Sequence, residues 1–305
     1  MMPFPRYLRE IVVVLAAMGT AMAGPPELAV AYTTYRLPLL PYAPTPGRVE
    51  GVMLTAQVND GPPLRLLVDT GAEDIVISQK AATRSGLEAS TERYMVCAGG
   101  APQSLLREAI AHTLAIGPVS FRNHLVLVTS SKFRDGLDGV IPISVFRGFL
   151  MSLDFRGKTI ELTPYPDEKM PATEGFVPVV LTNAVLLTQA RLNGGDPGYV
   201  LIDTGSAFTA VSQTTARPWI SRLDPPIGVL SADGRLQAAR PLASTVSFEI
   251  AGRQLRADKV VALDLKTISR FNDVDVTGVL GYPDLRKKVL TVSFRDSLVK
   301  IADQK

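Results

Sequence analysis

The chain has 305 residues, 46% of them hydrophobic and 20% charged, and a formal net charge of +3. This composition is typical of a folded protein with room for more than one hydrophobic core, and it excludes an intrinsically disordered chain. The basic residues are scattered, so no basic patch indicates nucleic-acid binding. One cysteine, Cys97, excludes an intramolecular disulfide and a thiolate-rich metal site, and His112 and His124 are too few for an obvious metal centre. We expect no metal and no cofactor.

The N-terminus has the pattern of an export signal. Arg6 and Arg9 precede an apolar run, and Ala21-Met22-Ala23 is a small-x-small cleavage site. Residues 1–23 are therefore predicted to be a signal peptide, and the mature protein is expected to be periplasmic or secreted. The apolar run from Ile11 to Ala23 has 13 residues, whereas a membrane-spanning helix needs roughly 20. We therefore expect no stable membrane span after cleavage, with an uncleaved anchor as the alternative.

Residues 24–47 are a Pro-rich leader with one predicted strand near Tyr35 to Leu40. The pattern leaves two interpretations open. The leader is either an edge strand of the domains that follow or a pro-segment.

From residue 48 onward, short apolar runs separated by turns predict an all-β fold. Gly51 to Val58 and Leu64 to Val68 are predicted strands, and Leu105 to Ile116, Pro118 to Phe121 and Leu125 to Thr129 are three more. A Pro-rich segment at 166–178 is predicted to link a lobe at 48–165 to a second lobe at 179–305.

One short motif occurs in both predicted lobes. Asp69-Thr70-Gly71-Ala72 follows Leu66-Leu67-Val68, and Asp203-Thr204-Gly205-Ser206 follows Val200-Leu201-Ile202. Each copy places a carboxylate at a glycine-containing turn between two apolar runs. Such a repeat predicts two homologous lobes.

Other elements recur in the same order. Gly139-Val140-Ile141-Pro142 in the first lobe matches Gly278-Val279-Leu280-Gly281 in the second, although Pro142 departs from the pattern. Each motif is also followed by a possible hairpin. The hairpin tips are Ala98, Gly99 and Gly100 in the first lobe and Ala232, Asp233 and Gly234 in the second.

This order of elements resembles the aspartic protease family over residues 49–301. The first copy is similar to the retropepsin form and the second to the pepsin form. The resemblance implies two acid-protease-like β-barrel lobes with a cleft between them, and catalytic roles for Asp69 and Asp203. It also implies that Thr70 and Thr204 brace the pair, while Gly71 and Gly205 bring backbone amides close to it.

Two carboxylates within hydrogen-bonding distance share one proton and titrate as a pair. The ionised carboxylate can deprotonate a water molecule, while the protonated one polarises the carbonyl of a peptide bond. We hypothesise that the Ser206 hydroxyl donates to Asp203 and favours its charged form. Ala72 offers no equivalent group to Asp69.

The remaining residues have alternative interpretations. The hairpin tips could be flaps that bind substrate or ordinary β-hairpins. Glu73 and Asp74 could hold a substrate backbone or form a solvated turn.

The predicted function is an aspartic endopeptidase that acts on a peptide or protein substrate. A non-catalytic peptide-binding or scaffold protein with the same fold is the alternative. Because one chain contains both motifs, we expect a monomer.

Overall fold

The computed structural model describes residues 33–89, 91–95, 104–134, 136–170, 175–182, 184–220, 224–230 and 236–303. The predicted signal peptide, Cys97 and the tips of both predicted hairpins lie outside these residues. In the described part of the chain, no helix has the length and hydrophobicity needed to cross a membrane.

Strands dominate the described residues and confirm the all-β prediction. The first strands are β1 (Tyr35–Pro38), β2 (Leu40–Tyr42), β3 (Gly51–Val58), β4 (Leu64–Asp69), β5 (Ile75–Ser78), β6 (Thr91–Met95), β7 (Ser104–Ile116), β8 (Val119–Thr129), β9 (Gly139–Pro142), β10 (Leu150–Asp154) and β11 (Thr159–Thr163). The later strands are β12 (Phe176–Pro178), β13 (Val180–Thr182), β14 (Val185–Leu192), β15 (Pro197–Asp203), β16 (Ala210–Ser212), β17 (Ile227–Leu230), β18 (Leu236–Pro241), β19 (Val246–Ile250), β20 (Arg253–Ala257), β21 (Val261–Leu263), β22 (Val276–Gly281), β23 (Lys288–Ser293) and β24 (Leu298–Asp303).

The helices are short. The α-helices are α1 (Gln79–Arg84), α2 (Gln213–Ala216), α3 (Lys266–Asn272) and α4 (Tyr282–Leu285), and 3-10 turns span Ile143–Phe146 and Arg217–Trp219. Helix α1 begins where the Ser78 hydroxyl accepts a hydrogen bond from the Ala81 amide.

The first lobe is a sheet in the order β2-β3-β4-β9-β5-β8-β7-β6. Strand β3 also pairs with β7, with Val58 opposite Leu114, so the sheet closes on itself. The prediction of two strands between Pro118 and Thr129 was wrong, because β8 runs through this region without a break. Asn123 adopts a φ of 50° within β8, a conformation that asparagine tolerates better than most residues.

The second lobe repeats the pairing around its Asp-Thr-Gly motif. Its sheet has the order β17-β18-β21-β16-β22-β15-β14-β19-β20, with β13 added beside β14. In the first lobe β4 pairs in parallel with β9, which places Val68 opposite Ile141. In the second lobe β15 pairs in parallel with β22, which places Ile202 opposite Leu280. The corresponding strands therefore have the same direction and register.

A third sheet, ordered β1-β11-β10-β23-β24-β12, combines strands from both halves of the chain. At its centre Ser152 lies opposite Thr291, and their hydroxyl oxygens are 2.9 Å apart. Because β10 and β23 occupy equivalent positions in the two halves, their antiparallel pairing relates the halves by an approximate twofold axis.

The leader contributes to this third sheet from residue 35 onward. Strand β1 is the edge strand, and Leu37 is only 1% exposed. Leu39 is also buried, and the Leu39 amide donates to the Lys158 carbonyl at 2.8 Å. Of the two interpretations left open by the sequence, the structure supports an edge strand for this part of the leader.

Candidate active site

Asp69 and Asp203 occupy the same position in the two lobes. Each is the last residue of an apolar strand, β4 or β15, and each is followed by a tight turn. The parallel neighbour of each strand ends at the same level, with Pro142 opposite Asp69 and Gly281 opposite Asp203. The strands therefore deliver both carboxyl groups to the boundary between the lobes.

The two threonines that follow the aspartates join the turns directly. The Thr70 amide donates to the Thr204 hydroxyl at 3.0 Å, and the Thr204 amide donates to the Thr70 hydroxyl at 2.9 Å. The Thr70 hydroxyl donates to the Ile202 carbonyl at 2.5 Å, and the Thr204 hydroxyl donates to the Val68 carbonyl at 2.7 Å. Both threonines are fully buried. The structure therefore gives them the bracing contacts that the resemblance implied.

Each glycine of the motif lies against the carboxyl group of the opposite lobe. A Cβ atom added to Gly71 would be 2.8 Å from Asp203 Cγ, and one added to Gly205 would be 2.3 Å from Asp69 Cγ. Real Cβ atoms do not approach other atoms this closely. Glycine is therefore required at both positions, and the carboxyl groups face each other across the lobe boundary.

Backbone amides complete the surroundings of the pair. The Gly71 amide donates to Asp69 Oδ1 at 2.8 Å, and the Gly205 amide donates to Asp203 Oδ1 at 2.9 Å. The Ser206 amide donates to the same Asp203 oxygen at 3.0 Å.

Burial raises the pKa of both Asp69 and Asp203, and the interaction between their two carboxyl groups lowers the pKa of Asp69 and raises that of Asp203. The charge of Asp69 raises the pKa of Asp203 further, while the backbone amides act in the opposite direction. Because two adjacent carboxylates repel each other, the pair binds one proton more readily than an isolated aspartate does.

The hypothesis about the Ser206 hydroxyl was wrong. Ser206 Oγ donates to the Phe208 carbonyl at 2.7 Å, and it is the Ser206 amide that contacts Asp203. The hydroxyl is used to close its own turn, so it gives Asp203 no direct stabilisation of charge. The Ala72 amide likewise lowers the pKa of Asp69, and the two motifs therefore support their carboxylates more similarly than expected.

Sequence reasoning missed a polar contact behind the second motif. The Thr209 hydroxyl accepts a hydrogen bond from the Gly281 amide at 3.0 Å and donates to Asp284 Oδ2. Thr209 and Asp284 are 75 residues apart, and nothing in the sequence pattern links them.

Apolar residues lie beside each motif. Ala72 packs against a cluster that contains Leu67 and Val140, and Phe208 packs against a separate cluster that contains Leu201 and Val279.

Glu73 and Asp74 lie on the turn between β4 and β5 and are partly exposed. Strand β6 precedes the first predicted hairpin tip and β7 follows it, and the two strands pair with each other. Strands β17 and β18 pair in the same way before and after the second predicted tip. Among the described residues, no group of three or more His, Cys, Asp and Glu side chains could hold a metal ion.

The comparisons with known proteins agree with this geometry. A family model described as aspartyl protease matches residues 54–143, which include the first Asp-Thr-Gly motif. No curated protein matches the sequence. The crystal structure of aspartic proteinase from Irpex lacteus is similar, with a TM-score of 0.58 at 14% sequence identity, and the match covers 90% of this chain and 98% of that chain. Identity this low is evidence for the fold alone. The family match therefore relates residues 54–143 to aspartyl proteases, and the structural match shows that the fold of the chain is that of an aspartic proteinase.

Proposed function

We propose that this protein is an aspartic endopeptidase in which Asp69 and Asp203 share one proton. The observation that carries the proposal is the reciprocal hydrogen bonding of Thr70 and Thr204, which joins the two turns that carry Asp69 and Asp203. A protein that only binds peptides has no evident need for two buried carboxyl groups in contact, because their mutual repulsion opposes folding.

In the proposed reaction a water molecule lies between the two carboxyl groups. The ionised carboxylate takes a proton from this water while the water oxygen attacks the carbonyl carbon of the peptide bond. The protonated carboxyl group donates a hydrogen bond to the carbonyl oxygen and stabilises the charge that develops there. Transfer of the proton that was taken from the water to the amide nitrogen then breaks the carbon–nitrogen bond, which releases an amine and a carboxylic acid and returns the pair to its starting state.

We propose that the substrate is an extended peptide or protein segment that adds backbone hydrogen bonds as a strand does. We also propose that the protein is exported and acts as a monomer. The N-terminal signal pattern supports export, and the meeting of both motifs within one chain supports a monomer.

The decisive experiment incubates the purified protein with an unstructured protein from acid to neutral pH, with and without pepstatin. Cleavage that pepstatin inhibits, and that is lost in Asp69→Asn and Asp203→Asn, is expected. Peptide binding without cleavage, unchanged in Asp69→Asn, would instead support a non-catalytic binding protein.

A further inference from the structure

A polar network supports the turn that carries Asp203, and it is built from residues outside the Asp-Thr-Gly motif. Thr209 is buried, and its hydroxyl connects the Gly281 amide to the Asp284 carboxyl group. The hydroxyl uses both its accepting and its donating capacity, so removing it leaves an amide and a carboxyl group without their partner.

The network is continuous with the turn between Asp203 and Thr209. Ser206 Oγ donates to the Phe208 carbonyl at 2.7 Å, and the Tyr282 amide donates to the Ser206 carbonyl at 2.9 Å. The turn also packs tightly on β22, because a Cβ atom added to Gly281 would be 2.0 Å from the Phe208 carbonyl oxygen. Thr209 and Asp284 therefore hold the end of the same turn whose Gly205 and Ser206 amides donate to Asp203.

Among its described residues, the first lobe has no equivalent network. The residues at the positions of Thr209, Gly281 and Asp284 are Ile75, Pro142 and Val145. Ile75 has no hydroxyl, Pro142 has no backbone amide hydrogen, and Val145 has no carboxyl group. Since the first lobe forms the same strands and the same turn without these groups, the fold itself does not require them.

We propose that Thr209 and Asp284 are positioning residues that hold the Gly205 and Ser206 amides against the Asp203 carboxylate. This inference rests on the proposed endopeptidase function only for its effect on rate, because the position of the amides is a property of the site itself. Neither residue contacts the reacting atoms.

The charge state of Asp284 does not interrupt the network. Burial raises the pKa of Asp284, its Thr209 hydrogen bond lowers it, and the nearby Asp258 and Arg286 act in opposite directions. A protonated carboxyl group still has a carbonyl oxygen that accepts a hydrogen bond. The contact with Thr209 is therefore available in acid as well as at neutral pH, and an asparagine at position 284 could also accept it.

The test compares Thr209→Val, which removes the hydroxyl at nearly constant volume, with Thr209→Ser, which keeps it. Thr188→Val is the matched control, because Thr188 is also a buried threonine of the second lobe and its hydroxyl donates to the Pro178 carbonyl. Asp284→Asn and Asp284→Leu form a second pair that keeps or removes the acceptor. Each variant is measured for kcat, KM, thermal unfolding and the titration of the paired carboxyl groups by NMR.

We expect kcat to fall about ten- to a hundredfold in Thr209→Val and Asp284→Leu with KM little changed, because small displacements of a catalytic group have effects of this size. The titration of the paired carboxyl groups should move to higher pH in the same two variants, since the amides stabilise the charged form. Thr209→Ser, Asp284→Asn and Thr188→Val should resemble the wild type in both measurements.

The proposal would be overturned if Thr209→Val and Thr209→Ser had equal kcat and equal titration of the paired carboxyl groups. It would also be overturned if Thr209→Val lost only stability, to the same extent as Thr188→Val, with kcat and titration unchanged. If Thr209→Val does not fold, the Asp284 pair decides by the same two measurements. If the wild type cleaves no peptide, the proposed function fails, while the titration still tests the positioning of the amides.

Discussion

Thr70 and Thr204 bind each other symmetrically: each amide donates to the hydroxyl of the other, at 3.0 and 2.9 Å. Each hydroxyl then donates to a carbonyl of the opposite strand, at Ile202 or Val68. Four hydrogen bonds between two buried turns give the lobe boundary a defined geometry at the point where the carboxyl groups meet.

Thr70→Val is expected to destabilise the protein by about 2–4 kcal/mol, because it leaves buried polar groups of the second motif without partners. Thr70→Ser keeps the hydroxyl and should recover most of this loss. Denaturant unfolding of the two variants and the wild type measures the difference. Equal destabilisation by valine and serine would show that the hydroxyl is not the stabilising group.

Gly205→Ala is expected to abolish activity, since its Cβ would be 2.3 Å from Asp69 Cγ and would push the carboxyl groups apart. Gly148→Ala is the control, because a Cβ atom there meets no atom within 4 Å. Assays of peptide cleavage by both variants check the prediction. Activity in Gly205→Ala close to that of Gly148→Ala would contradict the close approach of Gly205 to the Asp69 carboxyl group.

Asp203→Asn should change the pH dependence of stability in a defined direction. Burial raises the pKa of Asp203 above 3.8 in the folded protein, so the folded state binds a proton more tightly than the unfolded state does. Stability associated with this group is therefore highest below pH 3.8 and declines as the pH rises through the folded-state pKa. We expect Asp203→Asn to gain stability relative to the wild type as the pH rises.

Thermal unfolding of both proteins at several pH values measures this effect. The same variant should lose activity by about a thousandfold or more, which is the scale of contributions from general acid–base catalysis. A stability difference that is constant with pH would show that the carboxyl group titrates normally.

Mixing Asp69→Asn with Asp203→Asn tests the proposed monomer. Both motifs of a site come from one chain in a monomer, so a mixture of the two inactive variants should stay inactive. Recovery of a measurable share of wild-type activity, up to about the quarter of sites that random exchange would restore, would indicate that lobes exchange between chains, as domain swapping does. Sedimentation of the mixture provides an independent measurement of the assembly.

Leu37→Ala should destabilise the protein by about 2–5 kcal/mol, as is usual for a buried leucine, because this leader residue is 1% exposed in β1. Leu40→Ala is the matched control, since Leu40 is 41% exposed. Chemical unfolding separates the two outcomes. A large loss at position 37 would imply that any maturation cleavage compatible with this fold occurs before β1, whereas equal small effects would show that the strand is dispensable.

Several features follow from the sequence alone because they depend on neighbours along the chain. The predicted strand from Gly51 to Val58 matches β3, and Leu64 to Val68 lies within β4. Their apolar residues occur at the spacing of a strand, and turn residues separate them. The repeated Asp-Thr-Gly motif likewise predicted two matched carboxylates, since a strand followed by a glycine-containing turn is a local structure.

Other features depend on contacts between distant residues. The orientation of the Ser206 hydroxyl is decided by the Phe208 carbonyl, whose position follows from packing on Gly281. The contact of Thr209 with Asp284 exists because β16, which begins directly after Thr209, pairs with β22, which ends just before α4 and Asp284. The edge strand at Tyr35–Pro38 depends on β11 in the same way.

The sequence therefore determined which residues carry the paired carboxylates, because a short motif encodes the turn that holds each of them. Only the tertiary structure decided which groups surround that pair. Hydrogen-bond donors and acceptors find their partners through strand register and lobe packing, and neither of these is a property of a local segment.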